Sequence, residues 1–175
     1  MPNTATSPIV NTNYLTSIGF NVIINKLPQI SYFAKTVQIA GIDTNNPSRG
    51  TPFAKLPLPA DHASFGAFSI EFIVDEDLRN WEELTAWLVG ITFPESHAQW
   101  KNLVTDTRRE SEVYTDITIQ TLTSSKNANV EITYHNCIPN SVSGFSMISS
   151  GNDTEVITAS AGFDYSHFTI NRLTP

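Results

Sequence analysis

The stretch FSIEFIVDEDLRNWEELTAWLVGITF, Phe68 to Phe93, decides the fold because its apolar period changes part-way along. Phe68, Ile70, Phe72 and Val74 alternate with Ser69 and Glu71, the pattern of a half-buried strand, with Ile73 the one departure. Leu78, Trp81, Leu84 and Leu88 then recur at threes and fours, which predicts a helix with one apolar face, widened by Trp87 and Ile91. Asp75, Glu76 and Asp77 fall between the two patterns, where a helix would begin and its free N–H groups favour acids. Gly90 and Pro94 supply the expected stop.

Working outward, strand signals dominate. Ile18, Phe20, Val22 and Ile24 alternate up to the Leu27-Pro28 break, and Tyr32, Phe33, Val37 and Ile39 mark a second expected strand. Asp43 to Ala60 carries too many prolines for a central strand and reads as a long loop, a type that usually has a job. Pro94 to Val113 reads as a second irregular excursion, with a helical turn near Ala98 to Leu103 and a charged tip at Arg108, Arg109, Glu110 and Glu112. YTDITIQTL and NVEITYHNC, joined by TSSKNAN, form an expected hairpin. Ile138-Pro139-Asn140 punctuates, Ser141 to Ile148 gives a short strand, and TEVITASAGFDYSHF a last one. About seven strands to one helix predict a mainly β protein, an antiparallel β-sandwich or barrel with one flanking α-helix. Residues 1–13 are expected to be a flexible arm, and residues 14–175 one domain.

The formal charge of −7 argues against a surface that grips nucleic-acid phosphates, though not against an acidic wall that DNA slides past. The single cysteine, Cys137, reads as a small packing residue. No apolar run is long enough for a membrane helix, and the amino terminus lacks the pattern of a secretion signal, so no membrane association is expected.

Catalytic signals are thin. Asp75 and Asp77 with His97 would be acid/base equipment for a small hydrolase only if the fold joined them; a helix start explains the same acids. His62, His97, His135 and His167 are scattered singly, and no nucleotide-binding or nucleophile-elbow motif occurs. No catalytic residue, metal or cofactor is expected.

Three segments, in order, carry a resemblance. SIEFIVDEDLRNWEELTAWL resembles the strand, acidic break and single helix of the tail-tube superfamily of contractile-tailed, T4-like phages. CIPNSVSGFSM, Cys137 to Met147, is similar to a Cys-Ile-Pro and Ser-Val-Ser run in the tube-like domain of that group's baseplate tube initiators, and EVITASAGFDYSHF resembles their terminal strand. The resemblance implies a structural virion protein, present in host cytoplasm during assembly. It implies a homohexameric ring that stacks into the inner tail tube, against adjacent rings, baseplate and sheath, with the genome passing through. Main-tube, baseplate-proximal and head-proximal terminator rings share these features. On that reading Asp116, Gln120, Glu131 and Thr133, which share one sheet face by alternation, are expected to line the channel. Leu78, Trp81, Leu84 and Leu88 are expected to pack the helix on the sheet.

Overall fold

A computed structural model describes residues 15, 19–103, 113–148 and 156–173. The arm expected over residues 1–13 and the charged tip at Arg108 to Glu112 lie outside the described residues.

The hydrophobic alternation organises two sheets that share one strand. β1 (Phe20–Ile24), β8 (Thr115–Leu122), β9 (Ala128–Val142) and β11 (His167–Arg172) form the first, in the order β1-β8-β9-β11. The second runs from the far half of β9 through β10 (Thr158–Asp164) and β7 (Phe68–Ile73) to β2 (Ala34–Gln38). Every pairing is antiparallel. Residues up to Cys137 of β9 pair with β8, whereas Ile138 to Val142 pair with β10. Asn136 sits at the change of sheet with φ 56°, a left-handed conformation that Asn tolerates better than most residues.

The inward faces meet in one core. Val22, Ile24, Ile117, Ile119, Ile132 and Tyr134 come from the first sheet, and Phe68, Ile70, Phe72, Ala159, Ala161 and Phe163 from the second. Fully burying one such large apolar side chain contributes about 1.5–3 kcal/mol. The Phe68 and Tyr134 rings stack across the core with centroids 4.2 Å apart. The Tyr134 hydroxyl, the polar end of that stack, accepts a hydrogen bond from the Ala40 N–H at 3.2 Å.

The fold departs from expectation at five places. Tyr32 and Phe33 belong to a short helix, α1 (Pro28–Phe33), where Pro28 opens the helix and Ile30 is its buried anchor. The last segment is two strands, not one: the chain turns between Asp164 and His167, and the Tyr165 hydroxyl donates to the Gly66 carbonyl at 2.9 Å. Pro139 does not end β9, which runs on to Val142. Past the bend β9 is hydrogen-bonded, among the described residues, to β10 alone, so a missing N–H is tolerated there. Gly162 makes the β9–β10 bulge possible, because a Cβ there would collide with Ser141 Oγ and Asn140 Oδ1.

The other two departures concern the central helix, α2 (Arg79–Thr92). Asp75 to Asp77 do not cap it: the N-cap is Leu78, at φ 58°, with no side-chain cap. The strand-to-helix turn is held instead by Asn80, fully buried, whose Nδ2 donates to the Ile73 carbonyl at 2.8 Å while its Oδ1 accepts from Asp75 N–H at 3.3 Å. Gly90 is a buried interior residue, and the stop is Phe93 at φ 36°, its N–H bonded to the Val89 carbonyl.

Candidate assembly surfaces

The helix packs with its apolar stripe turned from the expected one. Leu84 is fully buried, but the deepest aromatic is Trp87, while Leu78, Trp81 and Leu88 are half-buried. Asn80, Leu84, Trp87 and Ile91, at spacings of four, three and four, form the inward line. Trp87 Nε1 donates to the Val113 carbonyl, and the Lys26 ammonium lies 4.5 Å from its ring centroid. Trp81 sits at the margin, edge-on to Phe145, its Nε1 donating to the Ser143 carbonyl.

Asp116, Gln120, Glu131 and Thr133 all lie on the outward face of the first sheet, opposite the buried Ile117 and Ile119. Cross-strand registers arrange that face in rows. Asn21, Gln120, Glu131 and Asn171 form one, and Ile23, Thr118, Thr133 and Thr169 the next, with Thr118 and Thr133 hydroxyls 3.3 Å apart. In the third, Asp116 Oδ2 is 3.1 Å from His135 Nδ1 and its Oδ1 accepts the Asn136 N–H at 3.0 Å. His135 stacks on His167, its cross-strand neighbour, at 4.8 Å. These rows hold two carboxylates and no Lys or Arg. Among the described residues the sheet ends in unpaired edges at β1 and β11.

A second surface falls on the stretch Asp43 to Ala60, which the sequence reads as a long proline-rich loop and, on the tube resemblance, as a candidate for contacts between rings or between subunits. Between Ala40 and Phe68 the chain forms a ribbon of short strands, β3 (Ile42–Asp43) with β6 (Ser64–Phe65), and β4 (Ser48–Gly50) with β5 (Lys55–Pro57). At the tip, Thr51 N–H bonds the Ala54 carbonyl at 3.0 Å and Phe53 is 99% exposed. Ile42, Leu56 and Leu58 are exposed too, so this arm covers almost none of its apolar side chains within the chain. Its one readable signal was apolar side chains in a proline-rich loop.

The hydrolase constellation is not assembled. Asp75 and Asp77 precede α2, whereas His97 opens α3 (His97–Leu103) beyond its other end, and α2's 14 residues span roughly 21 Å. A cleft of about 1030 Å³ at the β9 bend holds Asp116 and Asp164 but neither Asp75 nor His97. Both of its carboxylates are engaged, Asp164 accepting from Asn140 Nδ2 at 2.8 Å. Among the described residues no three His, Cys, Asp or Glu side chains form a group that could hold a metal ion, and no helix is long and apolar enough to cross a membrane. Burial pushes the Cys137 thiol up to about 12, and it donates to the Tyr134 carbonyl, so it is a packing group at neutral pH.

A family model described as phage tail tube protein matches residues 6–171. The chain belongs to that family. This tail tube protein also shares its fold with solved components of contractile injection machines. The anti-feeding prophage cap, its tube-terminating cap, matches with a TM-score of 0.62 and 14% identity, over 98% of this chain and 99% of that one. The sheath-tube complex of the PVC extracellular contractile injection system, in the extended state, gives 0.60 and 14% over 98% and 100%. The six-fold symmetrised anti-feeding prophage baseplate gives 0.59 and 12% over 95% and 97%. Comparison with curated proteins finds no match. The tail tube family is the superfamily the three sequence segments resemble, and the mainly antiparallel β architecture is the one they imply.

Proposed function

We propose that this tail tube protein acts as a hexameric ring of the inner tube of a contractile tail, in the main tube or at its baseplate end. Its partners are other copies of itself, adjacent tube rings, the baseplate and a surrounding sheath. The observation that carries this is the first sheet, polar but for Ile23 and free of Lys and Arg in its outward rows and, among the described residues, unpaired at both edges. Such edges pair with a neighbour through main-chain hydrogen bonds, and closing a ring removes them.

On this reading Asp116, Gln120, Glu131 and Thr133 line the channel. A wall of carboxylates, amides and hydroxyls gives a passing polyanion no phosphate-binding cation and lets the genome move without sticking. The stable side of the sheet, Ile117 and Ile119, stays in the core.

Negative-stain microscopy of the purified protein, alone and with baseplate and sheath partners, tests the ring: six-fold rings or tubes are expected, and their absence under all these conditions refutes it. Thr133→Cys tests the channel. In assembled tubes it is expected to react with a small maleimide and to resist a bulky polyethylene-glycol maleimide. Equal labelling by both would place the residue outside.

A further inference from the structure

His135 on β9 and His167 on β11 are cross-strand neighbours whose rings stack with centroids 4.8 Å apart and planes 29° from parallel. Their hydrogen-bond partners assign the ring protons. A carboxylate only accepts, so Asp116 Oδ2, 3.1 Å from His135 Nδ1, places the His135 proton on Nδ1. The lone pair is then on Nε2, where the Thr169 hydroxyl donates to it at 3.1 Å. On the second ring, the Ser166 hydroxyl donates to the His135 carbonyl at 3.1 Å and is left to accept from His167 Nδ1 at 2.9 Å. His167 Nε2 therefore also carries a lone pair.

An imidazole whose Nδ1–H is tied to a carboxylate or another acceptor, with Nε2 left basic, is a histidine oriented for a metal ion. The surroundings suit a cation. Asp116 and Ser166, which hold the two rings, also line the cleft at the β9 bend, whose described walls include Asp164 and no Lys or Arg. We propose that His135 and His167 bind one divalent transition-metal ion, of the Zn²⁺, Ni²⁺ and Cu²⁺ class, through their Nε2 atoms. Asp116 and Ser166 orient the rings, and water completes the coordination. Metal–nitrogen bonds of about 2.0–2.1 Å need the two nitrogens about 3.3 Å apart. His167 is exposed, so its ring has room to turn toward His135, and the Thr169 hydroxyl can rotate away from Nε2. Imidazole nitrogen selects these metals over Mg²⁺ and Ca²⁺, which take oxygen ligands. The site does not rest on the ring reading, because every residue in it belongs to one chain.

The test titrates untagged full-length protein with ZnCl₂, read by calorimetry and by the imidazole signals in NMR. One ion per chain is expected, with the His135 and His167 signals moving together and those of His62 and His97 unmoved at one equivalent. His167→Gln and His135→Gln should each weaken binding at least tenfold, and Asp116→Asn by about tenfold through the loosened His135 ring. His97→Gln should leave binding unchanged, and excess MgCl₂ should not displace the zinc. Circular dichroism of the metal-free variants checks that each is folded. If His135→Gln fails to fold, the exposed His167→Gln decides alone. Absence of binding, binding that survives His167→Gln, or displacement by MgCl₂ overturns the site. Binding indifferent to Asp116→Asn overturns the orienting role of that carboxylate.

Discussion

Asn80 is the side chain whose removal should be felt furthest from its size. It is fully buried and bonds two backbone groups on either side of the turn out of β7, the Ile73 carbonyl and the Asp75 N–H. Asn80→Ala leaves both without that partner in a space closed over by α2. An orphaned buried polar group costs about 1–3 kcal/mol. Ile73 and Asp75 are only half-buried, so the low half of that range applies to each, about 2–4 kcal/mol together. Ala in place of Asn within a helix returns about 0.5 kcal/mol. The net loss is about 1.5–3.5 kcal/mol, or a fall in Tm of roughly 3–14 °C for a chain of this size. Urea unfolding followed by circular dichroism measures it, with the denaturant slope unchanged. Asn80→Asp sharpens the test: it keeps the acceptor, but its charge faces the Ile73 carbonyl. A carboxyl disfavoured as the anion has a raised folded pKa, so this variant's deficit should grow as pH rises through about 4 and shrink in acid, where a protonated Asp can donate again. If Asn80→Ala unfolds within 0.5 kcal/mol of wild type, the turn is held by something else and the argument fails.

Trp87→Ala should cost about 3–5 kcal/mol and Trp81→Ala clearly less, since only Trp87 lies on the inward line; the reverse order in urea titrations would mean the helix is turned the other way. Cys137 should resist a thiol reagent in the folded protein and react fully in denaturant; its raised pKa makes the neutral thiol favour the fold, a contribution lost as pH climbs from 9 toward 12. The Glu71 carboxyl is held below its ordinary 4.5 first by the Lys35 hydrogen bond, so its share of stability is present above that value and lost as acid takes pH through the lowered one. Lys35→Met should move the Glu71 titration upward by NMR while changing stability at pH 7 by less than about 1 kcal/mol, as both side chains are exposed.

What was legible in the chain was whatever packs against the core. Phe68, Ile70 and Phe72 alternate in sequence because they alternate in burial, and Ile117 and Ile119 do the same. The arm's strands were illegible, though the segment itself stood out as a long proline-rich loop, because they bury nothing and so carry no period of two. Two stripes overlap on α2, one through Trp81 and one through Trp87, and the deciding residue is Asn80, a polar side chain that pattern reading assigns to the surface. Pro139 looked like a terminus because a sequence does not show which half of a strand has lost its second neighbour. The outward position of Asp116, Gln120, Glu131 and Thr133 followed from alternation alone, whereas the His135–His167 stack on the same face needed the register of β11.

The strand shared by the two sheets has a kinetic consequence. A sandwich whose halves are joined only by loops can open one half while the other persists, but β9 supplies hydrogen-bonded partners to β8 and β11 along one part and to β10 along the next. Peeling either sheet strips the strand on which the other is built. Amide protons of Ile132 and Ala161, on different sheets, should therefore exchange through the same opening event, at rates that converge as denaturant is added, and neither sheet should survive as a separate intermediate.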